Sequence, residues 1–324
     1  MTIIRVAVIG VGYLGNFHAE KYSKIEGVQL AAVVDIDQTK AKEVANKFAV
    51  KAFTDYKDLV GQVDAVSIVV PTQLHFEVSQ FFLEHGIHVL VEKPITTTVA
   101  EANTLIELAK VKQLVLQVGH LERFNATIIA LAKHLFNPRF IESTRIAPFN
   151  LRGSDVNVML DLMIHDIDII QSIVQSPIQN IDANGACVLS NSEDIANARI
   201  TFLNGCVANV TASRVSLKSE RKMRIFQPNA YFSLDLQNKS LVMYQKGIGE
   251  MFPGIPNIKH ETLNFDNDDA LLAEIKAFIF SISNKINPVV SGEEGARSLQ
   301  TAIEITEMVR AKAEAEAYGE VITK

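Results

Sequence analysis

Three side chains in this sequence have the types and settings to exchange a proton with a substrate: Lys93, Asp161 and His165. Lys93 stands in Glu92-Lys93-Pro94, directly after the apolar, strand-like run His88 to Val91. A lysine at a strand's carboxyl end, with proline behind it, points into the crevice where open α/β sheets bind ligands. Asp161 and His165 lie in a segment predicted helical from about Val156 to Val174. They are four residues apart, so they share one face, and Asp168 follows a further turn along. A carboxylate beside an imidazole raises its basicity and fixes its orientation, which suits proton exchange near neutral pH. On its own, such a pair is more often a solvated helix surface. Its meaning depends on the elements that carry it.

The chain opens with Ile3 to Ile9, short and largely β-branched, as a strand buried on both faces should be. Gly10-Val11-Gly12-Tyr13-Leu14-Gly15 follows at once. The first glycine allows a tight turn, the second lets backbone approach a pyrophosphate, and the third lets the next helix pack closely. That helix, about Leu14 to Ile25, would aim its N-terminal amides at the phosphates. Tyr13 and Leu14 sit within this turn. Val28 to Val34 reads as a second buried strand and ends in Asp35, placed to accept hydrogen bonds from an adenosine ribose. Ile36 and Asp37 follow, with no cation to hold a 2′-phosphate. NAD is therefore expected over NADP.

Strand–helix alternation continues to about residue 120. Asp64 to Val70 is a strand ending in Pro71-Thr72 and, beyond, His75; a helix from His75 to Glu84 stops at Gly86. A strand before Glu92, a helix near Thr98 to Lys110 and a strand Leu114 to Val118 complete a doubly wound parallel sheet. The grammar then changes. Asn204-Gly205 between Ala198–Leu203 and Cys206–Thr211 predicts a type I′ hairpin. Tyr231–Asp235 and Leu241–Tyr244 suggest a second hairpin, Gln245 to Lys259 a loop, and about Asp268–Ser283 and Glu293–Ala317 two closing helices. The expected fold class is α/β: an N-terminal Rossmann domain over 1–120, then a C-terminal α+β domain over 121–324 on an open, mostly antiparallel sheet. The C-terminal helices have the option of packing back on the first domain.

A length of 324 residues suits two domains, and 48% hydrophobic residues supply two cores. A net charge of −6 argues against nucleic acid or an anionic membrane surface as partner. Two cysteines without metal-ligand spacing, no signal-peptide pattern and no membrane-length apolar run predict a cytoplasmic protein. No metal is expected. A site from His120, Asp161 and His165 has no ligand spacing to support it.

Taken together, Gly10-x-Gly12-x-x-Gly15, Asp35, Pro71-Thr72 with His75, Glu92-Lys93-Pro94 and Asp161-x-x-x-His165 resemble the glucose–fructose oxidoreductase and inositol dehydrogenase (Gfo/Idh/MocA) family over essentially the whole chain. The resemblance implies that Lys93, Asp161 and His165 surround the reacting carbon. It also implies that the second domain's open sheet forms a homo-oligomer interface, in a dimer or tetramer. Many members carry a glycine run before the Asp-x-x-x-His helix; here the segment is Ser154 to Leu160. His120-Leu121-Glu122-Arg123-Phe124-Asn125 with Asp161 to Asp166 resembles the branch of nucleotide-sugar 3-dehydrogenases that act on UDP-sugars such as UDP-N-acetylglucosamine.

The expected reaction is hydride transfer between a sugar carbinol carbon and nicotinamide, with Lys93 or His165 as the base. Glu92, Pro71, Thr72 and His75 follow strand ends, where they meet the cofactor; for His75 a solvent-facing helix start is the equal alternative. His120 and Arg123 either line the crevice or belong to a linker. Arg152 either meets a substrate phosphate or is an ordinary exposed loop arginine. A free-sugar or polyol dehydrogenase is the rival enzyme. A non-catalytic NAD-sensing binding protein is the rival from another class.

Overall fold

The computed structural model describes residues 3–150, 156–266 and 268–322. The chain forms two compact units, Met1–Phe124 with Asp269–Leu299, and Asn125–Asp268 with Gln300–Lys324.

The first unit begins β1 (Ile4–Ile9), α1 (Tyr13–Tyr22), β2 (Val28–Val34), α2 (Gln38–Phe48), β3 (Lys51–Phe53), β4 (Ala65–Ile68), α3 (His75–Glu84), β5 (His88–Glu92), α4 (Val99–Lys112) and β6 (Leu116–Gly119). The strands pair in parallel in the order β3-β2-β1-β4-β5-β6. Strand order reverses between β1 and β4, and a crevice at such a reversal is where doubly wound sheets take ligands. Val6, Ala7, Val8, Val66 and Val89 are fully buried, which is why these strands read as unbroken apolar runs. The helices start where side chains satisfy their first amides. Asp37 accepts from Thr39 and Lys40 at α2, and Thr98 and Glu101 form a reciprocal capping box at α4.

The second unit holds α5 (Ala126–Ala132), β7 (Phe140–Ile146), one π-helical turn (Met159–Met163) running into α6 (Ile164–Val174), then β8 (Ile178–Ala186), β9 (Ile195–Phe202), β10 (Val207–Ser213), β11 (Glu220–Gln227), β12 (Ala230–Asp235), β13 (Ser240–Phe252) and β14 (Ile255–Asn264). Its eight strands run β14-β13-β12-β11-β7-β10-β9-β8, antiparallel except where β7 meets β10. One sheet face supplies Ile141, Ile200, Ile225 and Phe232 to a core completed by Met159, Met163, Ile164, Ile167 and Ile170.

Two local expectations change. The Asn204-Gly205 hairpin exists, but only Gly205 has positive φ (+81°), so the turn is not type I′. Phe202 N–H donates to the Cys206 carbonyl, and the Asn204 side chain accepts the Cys206 N–H, which closes a longer loop. Gln245 to Lys259 is not a loop: β13 and β14 continue through it as a long hairpin with register shifts near Glu250. Its glycines and prolines suggested loop. Pro256 is accommodated because β14 is an edge strand, where a missing N–H costs no ladder bond.

The chain then returns to the first unit. α7 (Ala270–Asn284) lies against α1, and its Ile275, Phe278 and Ile279 join the core of Val6, Val8, Tyr22 and Leu30. The first unit is thus discontinuous in sequence, unlike the contiguous stretch 1–120. α8 (Gly292–Ile322) begins in the first unit and ends in the second. Among the described residues no helix is long and apolar enough to cross a membrane.

Candidate active site

The glycine turn after β1 is built for close approach. Gly10 has φ +84°, and a Cβ there would lie 2.5 Å from the Val69 carbonyl oxygen. A Cβ on Gly15 would lie 1.9 Å from the Gly10 carbonyl oxygen, so only glycine lets α1 start here. Around Gly12 there is nothing within 4 Å, which leaves backbone open to a phosphate at the helix N-terminus. Tyr13 is exposed and edge-on to Phe17, and Leu14 is half-buried. Asp35 closes the turn from β2. Its Oδ2 accepts the Val11 N–H and its Oδ1 the Asp37 N–H, both at 3.0 Å. Each oxygen keeps a lone pair for a ribose hydroxyl. Ile36, 92% exposed, offers an apolar surface beside it that sequence reasoning did not use. These residues fit a dinucleotide.

Lys93 follows β5 and is half-buried, ahead of a cis peptide to Pro94. Glu92 Oε2 accepts the Lys93 N–H at 3.3 Å, and Glu92 Oε1 lies 3.2 Å from His18 Nε2. His75 is buried, with Nδ1 at 2.8 Å from the Pro94 carbonyl and Nε2 at 3.0 Å from that of Val70. It is not a solvent-facing helix start. It ties the ends of two strands together, and burial lowers its pKa despite the carbonyls. Pro71 is exposed and Thr72 half-buried at the mouth of β4. His120 is buried just past β6. The Arg123 guanidinium meets Glu294 at 3.1 Å and the Val289 carbonyl at 3.4 Å, both through Nη2.

In the second unit, Asp161 sits in the π-helical turn and His165 in the first turn of α6, both half-buried. An uninterrupted α-helix over Val156–Val174 is therefore not what forms; π turns of this kind recur at functional sites. Asp161 helps line a cavity of about 420 Å³ with Ala147, Pro148, Asn150 and Arg214. Asp168 is buried. Arg152 lies outside the described residues.

The matches to known proteins follow this division. The profile "Oxidoreductase family, NAD-binding Rossmann fold" matches residues 4–120, and "GFO/IDH/MocA C-terminal domain" matches 143–232. The chain belongs to the Gfo/Idh/MocA oxidoreductase family. This family member is 40% identical to a UDP-N-acetylglucosamine 3-dehydrogenase from Acidithiobacillus ferrooxidans, over 96% of this chain and 99% of that one. A structure of that protein superimposes with a TM-score of 0.89. A myo-inositol 2-dehydrogenase from Thermotoga maritima is 26% identical over 91% of this chain and 93% of its own. The fold alone is shared with a scyllo-inositol dehydrogenase from Lactobacillus casei with bound NAD(H), at TM-score 0.80 and 22% identity, over 96% of this chain and 98% of that one.

As a family member the protein is an NAD-dependent oxidoreductase. Several of its supporting residues escaped the sequence reading. Arg145 on β7 grips Asp166 of α6 through two bonds, Nε to Oδ2 at 2.8 Å and Nη2 to Oδ1 at 3.1 Å, with both side chains buried. That pair pins the turn carrying His165. Arg214 donates to Asp194 at 2.7 Å, and Asp194 also accepts the amides of Val188, Leu189 and Ser190. Burial pushes the Asp194 carboxyl up, but Arg214 and the three amides more than reverse this and hold it well below the usual range. Arginine and aspartate far apart in sequence carry no local mark of such pairing.

Proposed function

We propose that this enzyme oxidises the C3 hydroxyl of a nucleotide sugar resembling UDP-N-acetylglucosamine. The observation that carries the reading is the 40% identity, end to end, with a UDP-N-acetylglucosamine 3-dehydrogenase, against 26% for an inositol dehydrogenase.

Oxidising a carbinol requires the hydroxyl proton to leave as the carbonyl forms. A base must come within about 3 Å of that oxygen. Lys93 or His165 fills this role, with Asp161 steadying the imidazolium that results if His165 is the acceptor. A Lys93 that stays charged stabilises the developing alkoxide instead. Gly10, Gly12, Gly15 and Asp35 hold the dinucleotide, and Pro71, Thr72 and Glu92 border its nicotinamide end. NAD supplies the hydride acceptor at nicotinamide C4. His120 borders the sugar. Arg123 and Arg152 are the candidates to meet the diphosphate.

The enzyme works in the cytoplasm as a homo-oligomer, a dimer or tetramer. An aromatic row supports the second unit's sheet as the interface. Phe140, Phe226, Tyr231, Tyr244 and His260 are direct register partners across five strands, with ring centroids 4.8 to 5.9 Å apart. Tyr244 is 40% exposed, so the row presents apolar surface on the face away from the core.

Thermal melting with NAD tests the substrate. UDP-N-acetylglucosamine is expected to raise Tm, and free N-acetylglucosamine to raise it far less, because it lacks the diphosphate and base. Efficient oxidation of inositol or glucose, without binding of UDP-sugars, defeats the reading.

A further inference from the structure

Behind the Glu92-Lys93-Pro94 turn lies a group of three ionisable residues from distant parts of the first unit. His18 comes from α1, Glu92 from β5 and Glu274 from α7. A ring nitrogen of His18 and a carboxylate oxygen of each glutamate lie within 4.8 Å of one another. His18 and Glu274 are both 0% exposed, and among the described residues neither carboxylate oxygen of Glu274 has a hydrogen-bond partner. Glu92 alone reaches water, with a side chain 15% exposed.

We propose that Glu274 is a positioning residue, held as a neutral carboxylic acid, that keeps the Glu92 carboxylate seated against the Lys93 amide and so fixes the turn presenting Lys93.

The argument is one of charge and space. Two carboxylates this close and this dry cannot both ionise, as like charges push one of the pair to keep its proton. Glu92 has the better claim to the charge. It faces His18 at 3.2 Å and the Lys93 N–H at 3.3 Å, and it has some water. Glu274 has none of these. Burial first, and Glu92 second, push the Glu274 carboxyl well above the usual range. Tyr22 of α1, whose hydroxyl bonds Ser67, and Gln117 of β6, whose amide donates to the Glu274 carbonyl, face Glu274 and carry no charge to neutralise a second anion. On the Glu92 side stands His75, whose pKa burial lowers. The Glu92 carboxyl lies close to Gly119, where an added Cβ would sit 3.0 Å from its Cδ and Oε1. An ionised Glu274 repels Glu92 from its place beside the Lys93 amide. The proposal rests on Lys93 acting on the substrate as described above.

The test is Glu274→Gln, which keeps the shape and fixes neutrality. Its kcat is expected within about threefold of the parent at neutral pH, while the alkaline loss of kcat that belongs to Glu274 disappears, a range small against the effect of a proton-transfer group. Infrared spectroscopy of the parent enzyme should show a protonated carboxylic acid at neutral pH that is absent in Glu274→Gln and titrates away with the alkaline loss. Absence of that band in the parent overturns the proposal. So does a kcat loss of 100-fold or more in Glu274→Gln across all pH, or a stoichiometric divalent metal in the purified parent that Glu274→Gln lacks. The band and the metal content are read without substrate. If no UDP-sugar reacts, the substrate reading fails while Glu274 is still decided.

Discussion

Asp35 Oδ2 accepts the backbone N–H of Val11 at 3.0 Å. The bond joins the end of β2 to the glycine turn, so the residue proposed to read the ribose also shapes the loop proposed to hold the phosphates. Charge-assisted hydrogen bonds contribute about 1.5–3 kcal/mol each. Asp35→Ala is therefore expected to weaken NAD binding by about 10- to 100-fold and to narrow its preference over NADP, as read by calorimetric titration. Tighter binding of NADP than NAD by the parent protein contradicts the role given to Asp35.

Lys93→Ala and His165→Ala should each lower kcat by about two to four orders of magnitude, the range for a positioned proton-transfer group. NAD affinity should survive in His165→Ala, because the glycine turn and Asp35 belong to the other unit. Near-normal turnover in both variants removes the mechanism.

Gly119→Ala should push on Glu92, since the added methyl meets the Glu92 carboxyl, while the glycine turn and Asp35 stay untouched. Small displacements of catalytic groups cost about 100-fold in rate. Steady-state kinetics should show kcat falling by about that factor with the KM for NAD little changed. A rise in KM alone argues that Glu92 has no hold on Lys93.

The folded protein keeps a proton on Glu274 that the unfolded chain releases above the ordinary glutamate range. The stability from that proton is complete below that range. It is lost as pH rises through the raised folded value, at up to about 1.4 kcal/mol per pH unit. Urea denaturation of parent and Glu274→Gln across pH should show the variant gaining on the parent as pH climbs. A constant difference refutes the linkage.

The Arg145–Asp166 pair is buried on both sides. Asp166→Ala removes both buried bonds that Asp166 accepts from Arg145 and is expected to destabilise by about 3–5 kcal/mol, measurable as a lowered urea midpoint. An effect near zero means the guanidinium finds water on its own.

Much of this was legible in the sequence because it is local. The β1–turn–α1 segment, the apolar strands and the Asn-Gly hairpin each carry their signal within a few residues. β13 and β14 were missed beyond Gln245 because a solvated hairpin arm lacks the apolar alternation that marks a half-buried strand. The π turn at Met159–Met163 has the composition of an ordinary helix. His18, Glu92 and Glu274 come from three separate elements, and only folding brings them together. The Arg123–Glu294 pair is of the same kind, its partners 171 residues apart.

The placement of α7 also sets an order of assembly. Ile275, Phe278 and Ile279 belong to the core of the first unit, yet the ribosome makes them after the whole second sheet. An N-terminal fragment ending at Phe124 lacks those side chains and leaves part of the surface of β1, β2 and α1 to water. During synthesis the nucleotide-binding half lacks this part of its core until the whole second sheet has been made. A nascent chain stalled before Asp269 therefore has a finished glycine turn but no finished unit around it.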